Sequence, residues 1–188
     1  MSQQVLFIQG GGGEEDYEAD SKLVASLQEA LGDAYVVHYP HLPTTDELDF
    51  GRLQQIGHAL SGLPNDSIVV GHSLGASMLL KYLSETPTRH PLAGLFLLAT
   101  PFWRGEEEWK QGLKLSSDFA EKLPANVPIY LYHCQDDDQV PLDHLGLYAQ
   151  QLPQAHVRQL PSGGHQFNHD ASLVANEIKS LCNPRVVR

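Results

Sequence analysis

Cysteine is nearly missing from this chain: Cys134 and Cys182 are its only two. The first residues, Met1-Ser2-Gln3-Gln4, also lack the basic start and cleavage site of a secretion leader. The expectation is therefore two free thiols rather than a disulfide framework, in a cytoplasmic protein. Basic residues are scarce as well, with 12 Lys and Arg against 23 Asp and Glu and a formal net charge of -11. That balance argues against nucleic acid and against an anionic membrane surface as partners, and it disfavours a highly charged anionic substrate. No apolar run approaches the ~20 residues that cross a bilayer. The ten histidines invite a metal reading, and His165, His169 and Asp170 lie close together in sequence. Paired-cysteine spacing and a His-Glu-x-x-His helix are both missing, so no metal is expected, and no other cofactor is implied. Repeats, low-complexity tracts and linkers are absent too, which makes residues 1–188 a single domain. Nothing in the sequence sets an oligomeric state.

What is present is a regular alternation. Short apolar runs at Val5–Ile8, Tyr35–Tyr39, Ser67–Val70, Leu95–Ala99, Val127–His133 and Ala155–Leu160 read as six strands. Between them, helical spacing appears over Ser21–Leu31, Leu48–Leu60, Ala76–Leu83, Asp118–Leu123, Leu142–Leu152 and Ala171–Leu181. Strands alternating with helices predict an α/β fold with a compact, mostly parallel six-stranded sheet covered by helices on both faces.

The third strand runs directly into Gly71-His72-Ser73-Leu74-Gly75, and a helix follows. Strand, Gly-x-Ser-x-Gly and helix in that order form a nucleophile elbow, a turn too tight for side chains on its flanks. Ser73 would stand above the sheet at a helix start, whose free N–H groups favour negative charge.

A serine hydroxyl needs a base to take its proton, and a carboxylate to orient that base. Both follow in the chain. Asp136, Asp137 and Asp138 come directly after the fifth strand, and spacing alone does not choose among them. His165 follows the sixth strand behind Gly163-Gly164, which let a loop swing its ring over Ser73. His169 is its rival, at a position better suited to a helix cap or the surface. His72 should point away from the hydroxyl, His133 ends a strand, and His144 reads as a helix-surface residue.

Acyl transfer also needs donors for an oxyanion. One is the backbone N–H of Leu74; the other comes from the tetraglycine Gly10–Gly13 after the first strand, with Gly11 first and Gly12 next. A phosphate-binding reading of the same glycines fails, because the Lys and Ser/Thr of a P-loop and the third glycine of a dinucleotide site are missing. Phe102, Trp103 and Trp109, after the fourth strand, can wall a substrate pocket or simply pack, and Gly12 borders the same space.

Taken together, Gly71-His72-Ser73-Leu74-Gly75, Asp137-x-x-Val140-Pro141 and Gly164-His165 resemble the α/β-hydrolase superfamily over nearly the whole chain. The resemblance selects Asp137 as the acid, giving a Ser73, Asp137, His165 triad. Short length, an immediate first strand and Phe102-Trp103 through Trp109 are similar to the small lidless serine hydrolases of the retinoblastoma-binding-protein-9-like branch. Two departures stand out: Gln9-Gly10 replaces the usual His-Gly, and there is no large cap domain. The implied activity is hydrolysis of a small-molecule carboxylic ester or thioester through an acyl-enzyme. The alternative is a binding or interaction protein that keeps the fold without useful turnover.

Overall fold

The computed structural model describes residues 2–87 and 91–182. Its strands are β1 (Gln3–Ile8), β2 (Tyr35–His38), β3 (Ser67–His72), β4 (Leu92–Leu98), β5 (Ile129–Cys134) and β6 (His156–Leu160). Its helices are α1 (Glu14–Leu31), α2 (Arg52–Ser61), α3 (Leu74–Glu85), α4 (Phe119–Lys122), α5 (Asp143–Gln151) and α6 (Ser172–Cys182). The strands form one sheet in the order β2-β1-β3-β4-β5-β6, and every neighbouring pair is parallel rather than mostly so.

Strand alternation explains why the runs had to be apolar on both sides. Leu6, Ile8, Val69, Leu95, Leu97 and Leu131 face a core shared with α2, α3, α4 and α5. Val5, Phe7, Ile68, Val70, Phe96 and Leu98 face the opposite core, built with α1 and α6. Each such side chain, once buried, contributes about 1.5–3 kcal/mol before the entropy of ordering is set against it.

Helix α1 starts seven residues earlier than its apolar spacing suggests. Glu14, Glu15 and Asp16 make its first turn, where acidic side chains meet the positive end of the helix dipole. That turn is largely exposed, so no apolar stripe announces it. Gly32 ends the helix with φ 78°, its N–H returned to the Gln28 carbonyl at 3.0 Å. Helix α2 starts later than expected, because Gly51 (φ 76°) turns the chain just before it.

The chain leaves β1 toward β2 and then returns to β3 on the other side of β1. A crevice opens at such a reversal, outside the carboxyl ends of the strands. Ser73 and the tetraglycine loop sit there. The packing that puts them side by side is tight. A Cβ on Gly71 would lie 2.7 Å from the Ala76 Cα. One on Gly75 would overlap the Gln9 carbonyl oxygen and come within 2.7 Å of the Ile8 carbonyl oxygen. Gly75→Ala must therefore push α3 off β1. We expect it to cost about 3 kcal/mol and to lower the melting temperature by about 6–12 °C, measured by thermal unfolding.

Candidate active site

Ser73 occupies the turn between β3 and α3 with φ 50° and ψ -124°, a left-handed conformation that non-glycine residues avoid. Its N–H is anchored on the Leu98 carbonyl at 2.8 Å. Strain of this kind, about 1–3 kcal/mol, persists only where the surroundings enforce it. Here the enforcement comes from β4 beside the turn and from the two glycines that let α3 close against β1.

Two loops bring Asp137 and His165 together. Asp137 Oδ1 accepts the Gln139 and Val140 N–H groups, each at 2.9 Å, so the acid loop is built around its own carboxylate. The Asp137 carboxylate oxygens lie 3.0 and 3.1 Å from His165 Nδ1. Both side chains are buried. Burial pushes the Asp137 carboxyl up, but the His165 hydrogen bond and the two backbone donors outweigh it and hold the group below its ordinary value. An ionised Asp137 fixes the proton of His165 on Nδ1 and leaves Nε2 as the free base position.

The remaining acids and histidines separate by contact. Asp136 is exposed and accepts the Gly163 and Gly164 N–H groups at 3.2 and 2.8 Å, pinning the loop that carries His165. Asp138 and His169 are exposed. His133 is buried in β5, with Nε2 2.9 Å from the Val140 carbonyl and 3.4 Å from Asp137, so it braces the acid loop. His144, expected on a helix surface, is half-buried and accepts the Phe102 N–H on Nδ1 at 2.9 Å. Burial lowers its affinity for a proton, which suits a neutral ring acting as acceptor. A helix-periodicity argument cannot see this contact, because Phe102 lies 42 residues away.

Leu74 is the first residue of α3, where a helix leaves its N–H groups without intrahelical partners. The Gly10 and Gly11 carbonyls accept from the Arg52 guanidinium at 3.4 and 2.6 Å. Those two peptide units therefore aim their N–H groups, on Gly11 and Gly12, away from Arg52. Gly12 sits against Thr44. Phe102 and Trp103 line a cavity of about 260 Å³ with Leu115, Ser116 and Phe119. Trp103 Nε1 donates to Ser77 Oγ at 3.0 Å, which ties that cavity to the start of α3. Trp109 is 52% exposed and meets Trp103 edge-on at 5.6 Å, outside the lining of the cavity.

Three buried groups here were not legible as site residues: Gln9, Asp20 and Arg52. Gln9 accepts the Leu42 N–H at 2.6 Å and donates to the Gly11 carbonyl at 3.2 Å. Asp20 pairs with His72, with Nδ1 2.8 Å from Oδ1, and both side chains are 1% exposed. Burial pushes the Asp20 carboxyl up, but His72, the Gly10 N–H and the Gln166 amide together hold it below its ordinary value. Burial likewise opposes a charge on His72, and Asp20 with the His165 carbonyl reverses that, so His72 is held above its ordinary value. A raised histidine stabilises the fold fully below its unfolded value of ~6.5 and loses that contribution as pH rises through its folded value. A depressed carboxylate does so above ~3.9 and loses it as pH falls through its folded value. Stability should then be greatest between about pH 4 and 6.5 and decline on the alkaline side. Melting curves of wild type and His72→Gln against pH check this: the variant should lack the alkaline decline that His72 causes.

The profile of the alpha/beta hydrolase family matches residues 5–125, a span that contains the elbow, the glycine loop and the strands between them. The chain belongs to the alpha/beta hydrolase family. A comparison with curated proteins finds no relative by sequence. Solved structures do resemble this hydrolase fold. The ydeN gene product from B. subtilis superposes with a TM-score of 0.71 at 19% identity, covering 96% of this chain and 99% of its own. A meta-cleavage product hydrolase, CumD, gives 0.74 at 14% identity, covering 98% and 92%. The thioesterase domain from the curacin biosynthetic pathway gives 0.69 at 19%, covering 95% and 91%. At these identities the likeness is one of fold. The family match ends before Asp137 and His165, so the pairing of these two side chains in this alpha/beta hydrolase rests on their own geometry. Among the described residues no helix is long and apolar enough to cross a membrane. No group of three or more His, Cys, Asp or Glu side chains among them is placed to hold a metal ion.

Proposed function

We propose that the chain is a serine hydrolase that cleaves a small-molecule carboxylic ester or thioester through an acyl-enzyme. The observation that carries this reading is the buried Asp137 carboxylate 3.0 Å from His165 Nδ1, in a fold that sets Ser73 in a strained turn beside a glycine loop. His165 Nε2 takes the Ser73 proton as Oγ attacks the carbonyl carbon. Negative charge then gathers on the former carbonyl oxygen, where the Leu74 N–H and the Gly11 N–H receive it. The same imidazolium returns its proton to the departing alkoxide or thiolate. Water, deprotonated by His165, then releases the acid and restores the serine.

Phe102 and Trp103 supply an apolar wall for the acyl group, while Gly12 packs against Thr44 outside the lining of that cavity. Trp109 supports Trp103 from outside. Short length, an immediate first strand and Phe102-Trp103 through Trp109 favour the retinoblastoma-binding-protein-9-like branch, with residues 1–188 acting as one lidless domain. Free thiols at Cys134 and Cys182 fit a reducing, cytoplasmic setting.

A fluorophosphonate probe tests the reading. Wild type should label, with the adduct mapped by peptide mass to Ser73, and p-nitrophenyl esters and thioesters of rising chain length should show which bond and acyl length it prefers. Failure of the wild type to label would sink the hydrolase and favour the binding protein.

A further inference from the structure

We propose that Asp20 and His72 form a buried positioning pair that holds the glycine loop, the nucleophile turn and the base loop in one register. The proposal rests on the hydrolase reading above and assigns work to two residues that the reaction itself does not touch.

Three stretches far apart in sequence converge on this pair. From the loop after β1, the Gly10 N–H donates to Asp20 Oδ2 at 2.7 Å. From the loop after β6, the Gln166 amide donates to Asp20 Oδ1 at 3.0 Å. From the elbow, His72 Nδ1 lies 2.8 Å from the same oxygen. The other ring nitrogen of His72 is 2.9 Å from the His165 carbonyl oxygen, and the two imidazole rings sit 4.7 Å apart. His72 is thus bonded to Ser73 by the chain and to His165 by its ring. Nε2 makes a hydrogen bond to the His165 carbonyl and Nδ1 a close ion-pair contact with Asp20; only an imidazolium carries a proton on each nitrogen.

The surroundings fit a charged pair. The groups facing His72 are Asp20 from α1, the ring and carbonyl of His165 with the Phe167 ring from the base loop, and Asp137 at longer range from the acid loop. The positive ring and the negative carboxylate cancel within the core, which offsets part of the cost of burying both. A carboxylate can also accept from three donors at once. An asparagine has one acceptor oxygen, so it keeps the Gly10 N–H only if its NH₂ turns to His72 and Gln166, which demands a neutral His72 and a flipped Gln166 amide. Asp20→Asn therefore removes the charged pair and loosens its hold on the three segments without changing side-chain volume. Arg52 holds the outer side of the same glycine loop, so the loop is fixed from two directions.

The test compares wild type, Asp20→Asn and His72→Gln on p-nitrophenyl acetate and on fluorophosphonate labelling. Misplacement by about an ångström costs on the order of 10²-fold, so both variants should lose about that factor in kcat while KM stays near the wild-type value. In folded Asp20→Asn the downfield proton of the His165–Asp137 hydrogen bond should shift or broaden, which a role confined to stability would not cause. In wild type, histidine nitrogen NMR at about pH 7.5, above the ordinary value of ~6.5, should show both His72 ring nitrogens protonated. Wild-type kcat in Asp20→Asn, or one bare ring nitrogen on His72 in wild type, overturns the proposal. If the variants do not fold, the wild-type spectrum decides alone. If wild type neither labels nor hydrolyses, the hydrolase reading falls by itself, and the His72 spectrum still reports whether the pair exists.

Discussion

Ser73→Ala should abolish fluorophosphonate labelling and lower kcat by about 10⁶-fold, the loss typical when the nucleophile of such a triad is removed. Alanine offers no oxygen to acylate. The backbone of the turn separates this loss of activity from any change in stability. Ser73 sits at φ 50° and ψ -124°, a region that alanine finds as costly as serine does. Ser73→Ala should therefore be inactive and close to wild type in stability. Ser73→Gly should be equally inactive but more stable, by about 1 kcal/mol after the extra entropy of glycine is set against the relieved strain. Thermal unfolding of both variants checks the second half. A glycine variant no more stable than the alanine one would mean that the turn stores no strain worth relieving.

Asp137→Asn should reduce kcat by about 10⁴-fold with little change in KM. Asp137 accepts from His165 Nδ1 and from two backbone N–H groups. An asparagine side chain keeps the shape but has only one acceptor atom. If its oxygen stays on the Gln139 and Val140 N–H groups, its NH₂ faces His165 Nδ1 and forces the ring proton onto Nε2. The nitrogen that should take the Ser73 proton is then already protonated. Asp138→Asn, on an exposed side chain, should leave kcat essentially unchanged. Asp136→Asn can retain one of its two glycine contacts and should lose far less than Asp137→Asn. Steady-state kinetics on one p-nitrophenyl ester rank the three, and equal small losses at all three would remove Asp137 from its role.

The sheet, the elbow and the two loops were legible because each is written locally. Apolar runs mark buried parallel strands, and Gly71 and Gly75 bracket Ser73 within five residues. Choosing Asp137 from its neighbours needed a family motif, because Asp136, Asp137 and Asp138 are chemically alike. What separates them is which carboxylate turns inward, and the backbone decides that after β5 and β6 have paired. Asp20 and Arg52 left a fainter trace. Asp20 falls in the stripe with Leu23, Leu27 and Leu31, and Arg52 falls with Ile56 and Leu60, all of them buried. A charge on an apolar stripe signals a buried partner, but the partners here are loop carbonyls and His72, which helical spacing cannot reveal. His144 was misread for the same reason.

The convergence on Asp20 also bears on how the protein acquires its activity. Gly10 and Gln166 reach that one carboxylate from loops near opposite ends of the chain and His72 from the end of β3, and Gln166 lies 146 residues from it. Contacts of such separation close late, after the intervening loops have given up their freedom. A nascent chain emerging strand by strand would hold a complete nucleophile turn with no ordered base. Hydrolytic power would then arrive in a single step, when β6 and the base loop dock. Partly made or partly unfolded copies would carry an exposed Ser73 without the means to use it.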